Sequence, residues 1–318
     1  MDLLSVRLRA IRYEAETVNS FELTPIGSGD LPAFTAGSHI DIQLAPGLVR
    51  SYSLCNSQDD KNRYVIGVNR DAKSRGGSKH MHDQLRVGQT LSISAPRNNF
   101  ALKEDAAHTV LIAGGIGITP MLAMVRRLQS LGRSWELFYA ARNHAGAAFL
   151  DELRALKAQS PNGKLHLHFD DTATGLLDLA KIVADAPAGT HFYCCGPLPM
   201  LAAYESATAG LPEGQMHIEY FTAKDAPATA GGFTVECAKS GVTVQVPEGK
   251  SILDALLEAG VDVPYSCMQG VCATCETRVL EGIPDHRDLV LSKEEQASNA
   301  IMMVCCSGSK SARLVLDR

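Results

Sequence analysis

Three cysteines, Cys267, Cys272 and Cys275, fall within the nine residues CMQGVCATC, and a fourth, Cys305, follows after a gap of 29. This C-x4-C-x2-C…C spacing is that of the plant-type [2Fe–2S] ligand run. It constrains the fold strongly. Two irons need four thiolates at short, fixed reach, so one loop must wrap the centre with three and a distant strand must return with the fourth. Small residues in the loop, Gly270 and Ala273, let backbone N–H groups approach the sulfurs, which tunes the potential. Zinc is the competing reading, but zinc sites usually repeat a C-x2-C pair, and only one is present. Cys306, beside Cys305, is an alternative fourth ligand; the 29-residue gap favours Cys305. Cys55, Cys194 and Cys237 read as small buried hydrophobes.

The remaining composition narrows the class. A chain of 318 residues, 45% hydrophobic and 20% charged, can bury two or three cores. Its net charge of −5 argues against a general nucleic-acid binder. The N-terminal stretch MDLLSVRLRAIRYEAE alternates apolar and charged residues and lacks the apolar region of a signal peptide. No apolar run approaches the roughly 18 residues of a membrane span. Nine cysteines without such a signal point to reduced thiols and a cytoplasmic protein.

Three segments differ in pattern. Residues 1–103 are β-rich: SFELTP, HIDIQL, RYVIGVNR and TLSISAP alternate or carry β-branched residues between Gly, Pro and Asp, which predicts a small antiparallel barrel. Over residues 104–222 the pattern becomes strand then helix, repeated, which predicts a parallel sheet covered on both faces. Residues 223–232 are small and polar and read as a linker. Residues 233–318 return to short strands, FTVECAK and VTVQVPEG, with one helix, SILDALLEAG, opened by a capping pattern at Ser251 and Asp254.

Three further stretches carry chemistry. In RSYSL, residues 50–54, Arg50 supplies a fixed cation for a phosphate, Tyr52 an aromatic face and Ser53 a hydroxyl. That segment is read as following a strand and a turn. SRGGSKHMH, residues 74–82, is a glycine-rich turn whose N–H groups and Ser78 hydroxyl suit an anion. Alone, each also reads as an ordinary turn. LIAGGIGITPML departs from the dinucleotide fingerprint, because Pro120 stands where the third glycine belongs. Its physics is nevertheless that of a pyrophosphate turn: glycines for close approach, Thr119 to cap the helix and Pro120 at its first position.

Together these segments resemble the phthalate dioxygenase reductase and vanillate demethylase reductase family. The ferredoxin-like stretch CMQGVCATCETRVLEGIPDHRDLVLSKEEQASNAIMMVC carries the likeness most clearly, and it extends over nearly the whole chain. The resemblance implies a ferredoxin reductase-type flavin barrel, a nucleotide domain and a β-grasp ferredoxin domain. It implies FMN rather than FAD, because the ferredoxin segment is C-terminal. It places Arg50, Ser51, Tyr52 and Ser53, with Val68, Asn69 and the Gly76-Gly77-Ser78 turn, around the flavin, Ser53 near N5. It assigns Gly114, Gly115, Gly117, Thr119 and Pro120 to the pyrophosphate and Arg142 to the nucleotide ribose or phosphate. CGPLPM then resembles the C-G-P-x-x-M turn beside the nicotinamide, with Cys195 near the hydride path and Gly196 and Pro197 shaping the pocket. Phe221 matches the aromatic residue that closes the flavin face; core packing is its alternative. No Arg/Lys cluster follows YAARN, which favours NADH over NADPH.

The implied activity is hydride transfer from NADH to the flavin, then single electrons through the [2Fe–2S] cluster to a Rieske-type oxygenase or demethylase in aromatic catabolism. Gln269 and the PDHRD stretch would form the docking rim, on a monomer. Two rivals remain: an FAD-containing reductase or oxidase with another acceptor, and a non-enzymatic redox carrier. The intact GGIGITPM and CCGPLPM turns count against the second.

Overall fold

The computed structural model describes residues 3–212 and 214–318. The chain divides into two compact units, one ending at Glu219 and the other beginning at Tyr220.

The first unit opens with six antiparallel strands, β1 (Leu3–Ala15), β2 (Val18–Pro25), β3 (His39–Ala45), β4 (Leu48–Ser53), β5 (Tyr64–Asn69) and β6 (Thr90–Ser94), and helix α1 (Gly77–Asp83). Their order is β4-β3-β6-β1-β2-β5. The edges meet: Leu54 bridges Ile66 and the Cys55 N–H donates to the Val65 carbonyl at 2.9 Å, so the sheet closes into a barrel. Val6, Leu8, Phe21, Ile40, Ile42 and Ile66 fill it and are fully buried; each such side chain stabilises the fold by about 1.5–3 kcal/mol. The N-terminal alternation is itself a strand, β1, because period-two patterning puts Val6 and Leu8 inside and Arg7 and Arg9 outside. RSYSL follows a strand and a turn as expected, β3 and residues 46–47. Arg50 to Ser53 lie within β4, paired with β3 in the register Ile42↔Arg50 and His39↔Ser53.

The same unit continues with β7 (His108–Gly114), α2 (Ile118–Ser130), β8 (Ser134–Ala141), α3 (Leu150–Gln159), β9 (Gly163–Phe169), α4 (Leu179–Asp185), β10 (His191–Cys195), α5 (Leu198–Thr208) and β11 (Met216–Glu219). All five strands are parallel, in the order β11-β10-β7-β8-β9. Central β7 is buried from Thr109 to Gly114, which is why its sequence is a continuous apolar run rather than an alternation. The chain moves outward from β7 through β8 to β9, then returns to the other side of β7 at β10. That reversal is a topological switch point, where the carboxyl ends of the strands leave a crevice. Gly114 and Cys195, the last residues of β7 and β10, stand at it.

The second unit contains β12 (Phe233–Cys237), β13 (Thr243–Val246), α6 (Ile252–Glu258), β14 (Glu276–Glu281), β15 (Pro284–Asp285), α7 (Lys293–Ser298), β16 (Ile301–Met303), β17 (Gly308–Ser309) and β18 (Arg313–Leu316). The sheet order is β13-β12-β18-β14-β16, with β12 and β18 parallel and β15 paired to β17. Ser251 and Asp254 form the expected capping box on α6. The single expected helix is joined by a second, α7, capped in the same way by Ser292 and Glu295. The expected linker is fixed at its far end: the Ala228 N–H donates to the Cys306 carbonyl at 2.7 Å, and Thr229 and Gly232 also bond into this unit.

Candidate functional site

In the first unit the two glycine turns at the switch point touch each other. An added Cβ at Gly114 would lie 2.6 Å from Pro197 Cδ and 2.8 Å from Met200 Sδ, and one at Gly117 would lie 2.5 Å from the Cys195 carbonyl carbon. These glycines are therefore required by turn-to-turn packing as well as by any nucleotide. Gly115 is different: its φ is +54° and a Cβ there would meet nothing within 4 Å. Its backbone faces open space, the arrangement a pyrophosphate needs.

Helix α2 begins at Ile118 after a 3-10 turn over Gly115–Gly117. This corrects the expected capping. Gly117 is the N-cap, Thr119 is the second helical residue with its hydroxyl donating to the Ile116 carbonyl at 3.0 Å, and Pro120 is the third. Proline is tolerated there because first-turn N–H groups lack an intrahelical acceptor.

Ser53, Cys195 and a residue not singled out from the sequence, Glu219, come together. Cys195 and Glu219 are ladder partners at the ends of β10 and β11. The Ser53 hydroxyl donates to Glu219 Oε2 at 3.4 Å. Burial pushes the Glu219 carboxyl up to about 8. Burial also holds Cys195 well above the ordinary thiol range, so it stays a neutral thiol. The signal for Glu219 was present in HIEYF, an acidic residue at the end of an otherwise apolar strand. The Glu219 carboxyl has a testable consequence. Its folded pKa lies above its unfolded value, so it contributes no penalty below about pH 4.5. Between that value and about 8 the unfolded chain ionises first and stability falls. Glu219→Gln should flatten this fall, so thermal melts of variant and parent should diverge from pH 5 to pH 8. Parallel melting curves over that range would contradict the assignment.

The flavin-motif residues divide. Arg50 Nη1 donates to the Val49 carbonyl and Nη2 to the Arg75 carbonyl, both at 2.7 Å, which holds the guanidinium against the turn before α1. A Cβ on Gly77 would lie 2.5 Å from Arg50 Cγ, so the glycine makes room for that side chain. The Ser78 hydroxyl accepts from the Asp71 N–H at 3.2 Å, beside Gly76 at the α1 N-cap. Tyr52 keeps its phenol proton because burial raises its pKa strongly. Three others serve the barrel. Ser51 donates to Asp41 at 2.6 Å, Asn69 accepts from Thr17 at 2.6 Å, and Val68 lies in the barrel core with its carbonyl 2.8 Å from His82 Nε2. Arg142 is exposed just beyond β8, where its carbonyl accepts from the Asp171 N–H at 3.0 Å. Phe221 belongs to the second unit and is 39% exposed, which removes core packing as its role.

In the second unit Cys267, Cys272, Cys275 and Cys305 are all buried, at 8, 3, 2 and 3% exposure. The loop bearing the first three is in the left-handed region at Met268, Gly270 and Ala273, a conformation uncommon for side-chain-bearing residues. It turns amides toward sulfur: the Gln269 N–H donates to Cys267 Sγ at 3.3 Å and the Cys267 N–H to Cys272 Sγ at 3.5 Å. Cys305 is hydrogen-bonded to Cys267. Cys306 also interacts with Cys305, while its Sγ points to the Met303 carbonyl, at 3.7 Å, and packs under Gly270. Contact with Cys267 and then burial push the Cys272 thiol far up. Buried, crowded thiols of this kind need a cationic centre to become thiolates. Among the described residues no three His, Cys, Asp or Glu side chains are arranged around one ion. A binuclear cluster asks only two protein thiolates of each iron, and the donor set fits it.

Comparison with known proteins agrees. Residues 235–309 match the 2Fe-2S iron-sulfur cluster binding domain, and residues 111–206 match the oxidoreductase NAD-binding domain. The chain is 54% identical over 314 residues to phenoxybenzoate dioxygenase subunit beta of Ectopseudomonas oleovorans, covering 99% of this chain and 97% of that one. It is 53% identical over 317 residues to tetrachlorobenzoquinone reductase of Sphingobium chlorophenolicum, covering 99% and 98%. The crystal structure of phthalate dioxygenase reductase, described as a modular structure for electron transfer from pyridine nucleotides to [2Fe–2S], superposes with a TM-score of 0.74 at 39% identity. That match covers 99% of this chain and 98% of the other. With all three segments matched in order at this identity, the chain belongs to the phthalate dioxygenase reductase and vanillate O-demethylase oxidoreductase family.

Proposed function

We propose that this chain is the NADH-dependent reductase component of a Rieske-type aromatic oxygenase or O-demethylase. The observation that carries the reading is the end-to-end likeness to phthalate dioxygenase reductase, with barrel, parallel sheet and ferredoxin segment in the same order. The segments are 1–103 for FMN, 104–222 for NADH, a linker over 223–232, and 233–318 for the cluster. When bound, FMN and the [2Fe–2S] cluster convert the two electrons of a hydride into single electrons.

The chain's own residues bind and orient. Arg50 and the Gly76-Gly77-Ser78 turn hold the flavin phosphate, and Tyr52 packs on the flavin. The Val68–Asn69 backbone lines the flavin site, and Ser51 braces the strand behind it. Gly114, Gly115 and Gly117 with Thr119 and Pro120 receive the NADH pyrophosphate, and Arg142 its ribose end. Ser53 donates a hydrogen bond at the flavin edge, while Cys195, Gly196 and Pro197 shape the nicotinamide pocket as a neutral, apolar wall. Cys267, Cys272, Cys275 and Cys305 ligate the cluster. The protein acts as a cytoplasmic monomer, and Gln269 with the Asp285–Arg287 ion pair faces the oxygenase. No helix among the described residues is long and apolar enough to cross a membrane.

The likeness to tetrachlorobenzoquinone reductase favours a second reading, in which the acceptor is a quinone. One experiment serves both. Anaerobic NADH titration of the purified protein, followed by visible absorption, should bleach flavin and iron–sulfur bands together with about three electrons taken up. Turnover should then be faster with a Rieske oxygenase than with tetrachlorobenzoquinone. Flavin bleaching without a cluster signal would end the three-centre reading, and the opposite acceptor preference would select the quinone.

A further inference from the structure

A buried ionisable pair behind the thiol loop is not accounted for by hydrogen bonding. The side chains of His286 and Asp288 are 8% and 0% exposed. Neither ring nitrogen of His286, nor Asp288 Oδ1, has a hydrogen-bond partner among the described residues. His286 Nδ1 and Asp288 Oδ1 lie 3.6 Å apart, within ion-pair range but too far for a hydrogen bond. The other carboxylate oxygen, Oδ2, accepts from the Leu291 N–H at 2.9 Å and the Val290 N–H at 3.3 Å.

This pair is clamped to the loop. The Leu289 N–H donates to the Gly270 carbonyl at 2.9 Å. A Cβ at Gly270 would lie 2.9 Å from Asp288 Cα, so the backbone of Asp288 is pressed against the residue midway between Cys267 and Cys272. The Arg287 N–H donates to the Ser307 hydroxyl at 3.2 Å, and the Gln296 side chain donates to the Asp288 carbonyl at 3.4 Å, which fixes the segment on both sides. A carboxylate enclosed with half its acceptors unused costs stability that an apolar residue would not. Its return is electrostatic, because a charge enclosed against the loop is screened far less than one in water.

We propose that Asp288, pressed against Gly270, sets the reduction potential of the iron–sulfur centre held by the loop. This rests on the reading of the four cysteines as cluster ligands. The centre gains one negative charge when it takes an electron. A carboxylate behind the loop opposes that gain. Asp288 thus keeps the cluster reducing enough to pass its electron onward.

Asp288→Asn removes the carboxylate charge at nearly constant shape, and His286→Gln, which leaves that charge in place, is the control. Asn keeps an acceptor for the Val290 and Leu291 amides. The holoprotein is poised against redox dyes and the reduced cluster is quantified by electron paramagnetic resonance. At a fixed poise Asp288→Asn should hold more reduced cluster than wild type and His286→Gln about as much as wild type. The ratio of reduced to oxidised cluster should differ at least about tenfold between the variants, equivalent to 59 mV for one electron. Titration of both variants within twofold of wild type, or displacement of both in the same direction, overturns the proposal. If Asp288→Asn does not retain the cluster, Asp288→Ser, which also removes the charge, decides: a ratio within twofold of wild type overturns the proposal. A wild-type protein with no iron–sulfur signal would fail the ligand reading itself, a distinct result.

Discussion

Cys305→Ser should remove the visible and paramagnetic signature of the cluster and cut NADH-driven transfer to a one-electron protein acceptor by at least about 100-fold, while Cys306→Ser leaves both nearly intact. Loss of an outer-shell partner alone typically costs 10–100-fold at a metal site, and a lost ligand should cost no less. The contrast follows from orientation. Cys305 is bonded to Cys267, at the mouth of the loop. Cys306, one residue on, turns its sulfur to the Met303 carbonyl and the underside of Gly270. Anaerobic reduction of the bound flavin by NADH should proceed at the parental rate in both variants, since Cys305 and Cys306 lie outside the unit that carries the flavin and nucleotide turns. Iron content and flavin reduction, measured on the same samples, check this. A cluster retained in Cys305→Ser and lost in Cys306→Ser would reverse the ligand assignment.

Gly117→Ala should be nearly as damaging at the other site. The new methyl would run into the Cys195 carbonyl group and come within 3.0 Å of the Gly196 nitrogen. These are backbone atoms, which cannot rotate away. Overpacking of this kind costs about 1–3 kcal/mol, and a shift near 1 Å in a reactive geometry can cost about 100-fold in rate. Gly115→Ala is the control. It meets no neighbouring atom, but its φ of +54° strains any side chain, by about 1–2 kcal/mol. Denaturant melts and stopped-flow hydride transfer should therefore show both variants destabilised. Only Gly117→Ala should also displace the Cys195 turn, read as slower hydride transfer at saturating NADH. A Gly117→Ala protein as stable and as fast as wild type would mean that the turns do not depend on each other.

Much of this was legible in residue patterns. The thiol spacing, the barrel alternation and the strand-then-helix repeat each encode a local constraint that survives folding. The capping box at Ser251 survives for the same reason, since both partners lie within one turn. What was not legible depended on distant partners. RSYSL did not announce a strand, because Arg50, Ser51 and Ser53 are polar, yet all three lie in β4 and pair with β3. Helix α7 carries its own capping pattern at Ser292 and Glu295, but it buries no side chain and so lacks the apolar stripe that announces a helix. Glu219 matters only because β11 lies beside β10, which brings a carboxyl to Ser53 across 166 residues of chain. Val68 and Asn69 were placed by motif, while their hydrogen bonds to His82 and Thr17 are products of the closed barrel.

The glycine turn after β7 and the Cys-Gly-Pro turn after β10 behave as a single part machined in two pieces. Neither can be exchanged for its counterpart from a distant reductase without the other, because the fit of Gly114 against Pro197 and Met200 is specific to the pair. Redesign of cofactor preference in this chain therefore has to transplant both turns at once, and effects measured at one will be non-additive with changes at the other.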